Sequence, residues 1–122
     1  MNQRMLIIED SMDMRAVLEV ALAHGSECAV RCAPSRDEAL TIIKDGWWPQ
    51  IILLDYHMPG MSAPRFLSEL RDLSGPRPRI ILMTADSNGD VVASRLGLRE
   101  ILRKPFDPEK ELRSIVPFAA SY

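Results

Sequence analysis

Four short stretches of this chain each end an ordered run with a side chain able to do chemistry. Glu9 and Asp10 follow Met5-Leu6-Ile7-Ile8, and Asp55 follows Ile51-Ile52-Leu53-Leu54. Thr84 follows Ile80-Ile81-Leu82-Met83, and Lys104 follows Glu100-Ile101-Leu102-Arg103. Brought to one place, these are three carboxylates, a hydroxyl and an ammonium. Carboxylates crowded together repel and raise one another's pKa values, a penalty that a bound cation removes. Oxygen-only donors completed by water suit Mg²⁺ best. A carboxylate such as Asp55 beside that ion can attack a phosphoryl group while metal and ammonium neutralise its equatorial oxygens. The Thr84 hydroxyl can then hydrogen-bond a phosphoryl oxygen once it is attached. Singly, each residue has an ordinary structural reading as a cap, a turn or a surface lysine. Together those readings weaken sharply.

The elements that must position them follow from periodicity. Apolar runs predict strands over residues 5–8, 28–32, 51–54, 79–83 and 100–103. The run at 51–54 has no polar residue before Asp55, as expected of a central strand buried on both faces. Ser11 reads as an N-cap, with Ala16, Val17, Val20, Ala21 and Leu22 as the buried side of a first helix that Gly25 stops. Ser35 and Glu38 form a capping box for a second helix, whose inner face is Ala39, Leu40, Ile42 and Ile43 and whose terminator is Gly46. Pro64 suits the first turn of a third helix over 66–73, and a short fourth helix runs over 88–96 to Gly97. Asp107 and Pro108 begin a last helix that Pro117 closes or bends. Strand alternates with helix throughout. Crossovers of this length force parallel pairing, giving an α/β fold with a five-stranded parallel sheet and helices on both faces. All the reactive positions then share the carboxyl edge, where open α/β sheets keep their chemistry.

Composition narrows the class. The 122 residues make one domain, 1–122, with 47% hydrophobic and 26% charged residues. A net charge of −2 gives no general basis for binding nucleic acid directly. The basic residues read as a solvated surface, Lys104 excepted. No apolar stretch approaches the ~20 residues of a membrane span, and the start lacks a signal peptide's apolar region. Cys28 and Cys32 read as buried free thiols of a strand, which with the rest points to a reducing cytoplasm. Trp47 and Trp48 read as cover for a helix-to-strand corner rather than a partner-binding patch.

The residues at the strand ends, with Met58-Pro59 and Lys104-Pro105-Phe106, resemble the receiver domain of two-component response regulators over essentially the whole chain. The resemblance implies a flavodoxin-like (βα)5 doubly wound sandwich that takes phosphate from a histidine kinase or a histidine phosphotransfer protein. It implies Asp55 as the phosphorylation site, Thr84 as the switch hydroxyl and Lys104 as the family's lysine. Glu9, Asp10 and Asp55 would bind Mg²⁺ through side chains, and His57 through its backbone carbonyl. Output would pass through the surface of the fourth helix, fifth strand and fifth helix, to an effector protein or to a covalently attached output domain. His57 and Asp86, each two residues past a site residue, would flank an attacking water and tune the phosphoryl lifetime.

Three positions depart from the family pattern. Ile101 stands where an aromatic residue usually swings inward, which implies a different switching movement. The segment between Thr84 and Lys104 is about two residues short by the family's measure, which makes a homodimer through the fourth-helix face less safe to assume here than in the family at large. Ala63 replaces the glycine common after the Met-Pro turn. The expected role is a phospho-accepting switch rather than a turnover enzyme, either stand-alone or part of a larger regulator; Pro117 and Phe118-Ala119-Ala120 suit both. A receiver that binds partners without phosphorylation is one alternative. A Mg²⁺-dependent phosphohydrolase with an aspartyl nucleophile is another, but it commonly has a general-acid aspartate where His57 stands. A flavin- or nucleotide-binding module would need glycines after the first strand, where this chain has Glu9-Asp10-Ser11-Met12.

Overall fold

In the computed structural model, which describes residues 3–23 and 28–116, the apolar runs pair side by side. They form β1 (Gln3–Ile8), β2 (Cys28–Ala33), β3 (Ile51–Asp55), β4 (Arg79–Thr84) and β5 (Glu100–Arg103). All pair in parallel in the order β2-β1-β3-β4-β5. The crossovers are α1 (Met12–Ala23), α2 (Arg36–Lys44), α3 (Ala63–Arg71) and α4 (Gly89–Arg95), and α5 (Pro108–Ile115) follows the last strand.

Alternation along the strands divides the core between two faces. Leu6, Ile8, Ile52, Leu54 and Leu82 pack with α2, α3 and the short α4 through residues such as Leu40, Phe66 and Val92. Met5, Ile7, Leu53, Ile81 and Met83 pack on the other face with Leu18 and Leu22 of α1 and Leu112 of α5. β3 is buried at every position because both neighbours and both faces cover it.

Local chemistry sets the helix starts. The Met14 amide donates to Ser11 Oγ at 3.2 Å, and the Glu38 amide to Ser35 Oγ at 3.1 Å. The third helix begins at Ala63 instead of 66, because Ser62 caps it by accepting from the Arg65 amide at 3.2 Å. Ala63 is buried in its first turn. It ends at Arg71, before Leu73. Asp107 caps α5, accepting from the Glu109 amide at 3.0 Å.

The face of α1 differs from the expected one. Leu18 and Leu22, one turn apart, are buried, while Val17 and Val20 are 49% and 60% exposed. Apolar residues run nearly all round this helix, so spacing alone did not choose the face; packing against the sheet and α5 did. Gly25, Pro117 and the tail 118–120 lie outside the described residues. Cys28 and Cys32 are not disulfide-bonded and are only partly buried, because β2 is an edge strand with a single neighbour. Partial desolvation still pushes their thiols up, to about 11 and about 12. Both tryptophans cover corners. Trp47 lies under the guanidinium groups of Arg4 and Arg31, 5.5 and 5.1 Å from its ring. Trp48 donates to the Pro76 carbonyl at 2.6 Å beside Gly75, where its ring leaves no room for a Cβ.

Candidate functional site

The parallel register brings the ends of β1, β3, β4 and β5 to one edge. Ile8 pairs with Leu54, Asp55 with Met83, and Thr84 with Arg103. Glu9, Asp55, Thr84 and Lys104 are thereby placed at or one residue past those pairs. The chain alternates strand and helix for this geometric reason: a single edge collects residues 95 positions apart in sequence.

The centre is an ammonium between two buried carboxylates. Lys104 Nζ donates to Glu9 Oε1 at 2.6 Å and lies 3.3 Å from Asp55 Oδ1. Glu9 and Asp55 are 1% and 4% exposed. Burial by itself would lower the lysine's pKa, but the hydrogen bond to Glu9 and the charges of Asp55 and Glu9 outweigh it and hold Lys104 above its ordinary value. Glu9 is fixed further by the Ser11 amide, which donates to Oε2 at 3.3 Å. Its backbone carbonyl accepts from Arg15 at 2.7 Å.

Asp10 completes an acidic group. One carboxylate oxygen from each of Glu9, Asp10 and Asp55 lies within 4.8 Å of the others. Asp10 is exposed and makes no hydrogen bond or ion pair with a described residue, so its oxygens are available. One ammonium faces three carboxylates here. The donor set is all oxygen, partly buried, and left with excess negative charge that a hard divalent cation would offset. Those properties fit Mg²⁺.

Thr84 is buried at the end of β4, but its hydroxyl is turned along its own loop. Oγ1 accepts from the Asp86 amide at 3.0 Å. Asp86 in turn meets His57 across the mouth of the site, Nε2 to Oδ2 at 2.8 Å, with both side chains substantially exposed. The two residues expected to flank a water path are therefore in contact with each other. Arg103 secures the same loop, donating to the Asp86 carbonyl at 2.8 Å and to Asp90 at 3.1 Å. Ile101 is half-buried, close to Gly89. A Cβ on Gly89 would stand 2.8 Å from Thr84 Cγ2, so only glycine lets α4 approach this closely.

One buried neighbour of the site was not legible in the sequence. Arg36, grouped by sequence with solvated surface charges, is 3% exposed. Its NH1 donates to the Met61 carbonyl at 2.7 Å, and its NH2 to the carbonyls of Asp55 and Tyr56 at 2.9 and 2.7 Å. Desolvation lowers its pKa, against the charges of Asp55, Tyr56 and Asp10. Its position as first residue of a helix, where a positive charge opposes the dipole, was the available signal.

Comparison with known proteins agrees with this geometry. The family model described as response regulator receiver domain matches residues 5–116. Among curated proteins, Regulator of RpoS from Escherichia coli (strain K12) is 28% identical over 122 residues, 99% of this chain and 35% of that protein. Phosphate regulon transcriptional regulatory protein PhoB from the same organism is 28% identical over 90% of this chain and 48% of its own length. The chain thus spans less than half the length of these relatives. Among solved structures, chemotaxis response regulator CheY4 of Vibrio cholerae superposes with a TM-score of 0.80 at 24% identity, covering 94% of this chain and 97% of that one. The fold is the flavodoxin-like fold of CheY. Among the described residues no helix is long and apolar enough to cross a membrane.

Proposed function

This chain belongs to the response regulator receiver domain family of two-component signalling, and on that premise we propose that Asp55 accepts a phosphoryl group from a histidine kinase or a histidine phosphotransfer protein. The observation that carries the reading is the buried Glu9–Lys104–Asp55 contact, which holds a nucleophilic carboxylate beside a fixed ammonium. One Asp55 oxygen forms a bond to phosphorus as the P–N bond to the donor imidazole breaks. The electron pair leaves with that nitrogen, which takes a proton. Lys104, already 3.3 Å from Asp55, is placed to meet charge on the phosphoryl oxygens.

Glu9, Asp10 and Asp55 would hold Mg²⁺, with the His57 carbonyl as a further donor. When bound, the ion supplies charge neutralisation for the phosphoryl oxygens. Thr84 supplies the response. A hydroxyl has one proton to give and can accept at the same time. It can therefore donate to a phosphoryl oxygen while still accepting from the Asp86 amide, drawing the loop before α4 with it. The change then spreads over α4, β5 and α5 to an effector or an attached output domain. His57 and Asp86 close the mouth and set access of water to the phosphoryl group. The domain would be a switch that catalyses only its own phosphorylation and dephosphorylation.

Intact-mass analysis after incubation with Mg²⁺ and acetyl phosphate tests this reading. A single phosphate adduct that requires Mg²⁺ and is absent from Asp55→Asn is the expected result. No adduct while Mg²⁺ binds would instead favour a partner-binding receiver that works without phosphorylation.

A further inference from the structure

Arg36 breaks two local rules at once. It places a positive charge in the first turn of α2, against the helix dipole, and it buries a guanidinium without an ion pair to any described carboxylate. Nε is buried with no partner. What compensates is a set of backbone contacts confined to one loop. Asp55 and Tyr56 begin the connection from β3 to α3, and Met61 ends it just before the Ser62 cap. The two terminal nitrogens of Arg36 bind the carbonyls at both ends, at 2.7 to 2.9 Å. A planar fork can span two such sites simultaneously, whereas a lysine presents one nitrogen.

We propose that Arg36 is a positioning residue for phosphoryl transfer, clamping the 56–61 loop at both ends so that the backbone beside Asp55 faces the metal in a fixed direction. The inference rests on the reading of Asp55 as the phospho-acceptor. His57, whose carbonyl is the expected additional metal donor, lies inside the clamped loop, next to Tyr56. The Arg36 bonds therefore act on that donor through one peptide unit. Arg36 also contributes charge near Asp55 and Asp10, and charge alone would be equally well supplied by lysine. That difference separates the two roles.

The test compares the full chain with Arg36→Lys and Arg36→Met. Mg²⁺ affinity is measured by calorimetry without a phosphodonor, and adduct formation from acetyl phosphate at limiting and saturating Mg²⁺. Circular dichroism reports folding. Clamping predicts that folded Arg36→Lys binds Mg²⁺ about tenfold more weakly, the usual effect of losing a group that orients a metal donor. Its phosphorylation should be slow at limiting Mg²⁺ and recover at saturation, a split that a general loss of stability would not produce. Arg36→Lys with wild-type Mg²⁺ affinity overturns the proposal, whether or not Arg36→Met is impaired. Should Arg36→Lys fail to fold, Arg36→Gln is held to the same criterion. A wild-type protein that binds Mg²⁺ yet takes no phosphate overturns the phospho-acceptor reading itself, a result distinct from any difference between variants.

Discussion

The connection from β3 into α3 and the connection from β4 into α4 both leave the sheet beside the acidic cluster. The first is held from beneath by the buried Arg36 at both ends and enters a helix capped by Ser62. The second enters a helix of 7 residues with no side-chain cap at Asn88. At its root the Thr84 hydroxyl accepts from the Asp86 amide, and its other side-chain bonds come from the exposed Arg103 and His57. Bonds within a buried, low-dielectric setting resist opening more than bonds on a solvated rim. One half of the site is thus held more firmly than the other, and on the proposed reading the second is the half that would respond. Thr84 sits at the root of the second half, so the proposed pull on its hydroxyl would act on the more weakly held connection.

The contrast can be broken at several points. The largest effect is expected at the fixed centre. Lys104→Met leaves Glu9 and Asp55 buried without their cation, a change worth about 3 kcal/mol in urea unfolding without Mg²⁺. Added Mg²⁺ should recover part of that loss. Next, Gly89→Ala forces a Cβ to within 2.8 Å of Thr84 Cγ2 and should cost about 2 kcal/mol. A loss near zero would show that α4 shifts freely to make room, and would sharpen the contrast further. Ser62→Ala removes a formed cap and should cost about 1 kcal/mol, whereas Asn88→Ala should be nearly silent, since Asn88 makes no cap bond.

Smaller still is Arg103→Ala, expected within about 1 kcal/mol in overall stability because its contacts are exposed. Its signature should be faster amide exchange across residues 86–95. The least effect concerns pH. The folded state favours the neutral thiols of Cys28 and Cys32, so their contribution is intact below 9.0 and fades as pH rises toward about 11 and about 12. Lys104, raised above 10.5, likewise contributes fully below that value and is lost only as pH climbs through its folded one. Urea midpoints measured from neutral pH upward should fall only in the alkaline range, and less steeply in a Cys28→Ser, Cys32→Ser double variant.

Much of the fixed half was legible in the sequence. A run such as Ile51–Leu54 followed by Asp55 specifies both a buried strand and the place where it emerges. The parallel pairing then carries Glu9 and Lys104 to the same edge without further information. Arg36 was not legible, because its partners are carbonyl groups, which every residue has; no residue type marks them. The face of α1 was obscured for a related reason: Val17 and Leu18 are both apolar, and only packing against α5 and the sheet separates them. The contact of His57 with Asp86 joins two loops 29 residues apart, and nothing in either loop specifies their distance.

The most direct test of this account is hydrogen–deuterium exchange of the whole chain with Mg²⁺, with and without acetyl phosphate. The expected result is a change in protection that is largest in residues 84–95 and extends into β5 and α5, with residues 55–71 nearly unchanged beyond Asp55 itself. Equal change in both segments, or change confined to 55–71, would contradict it.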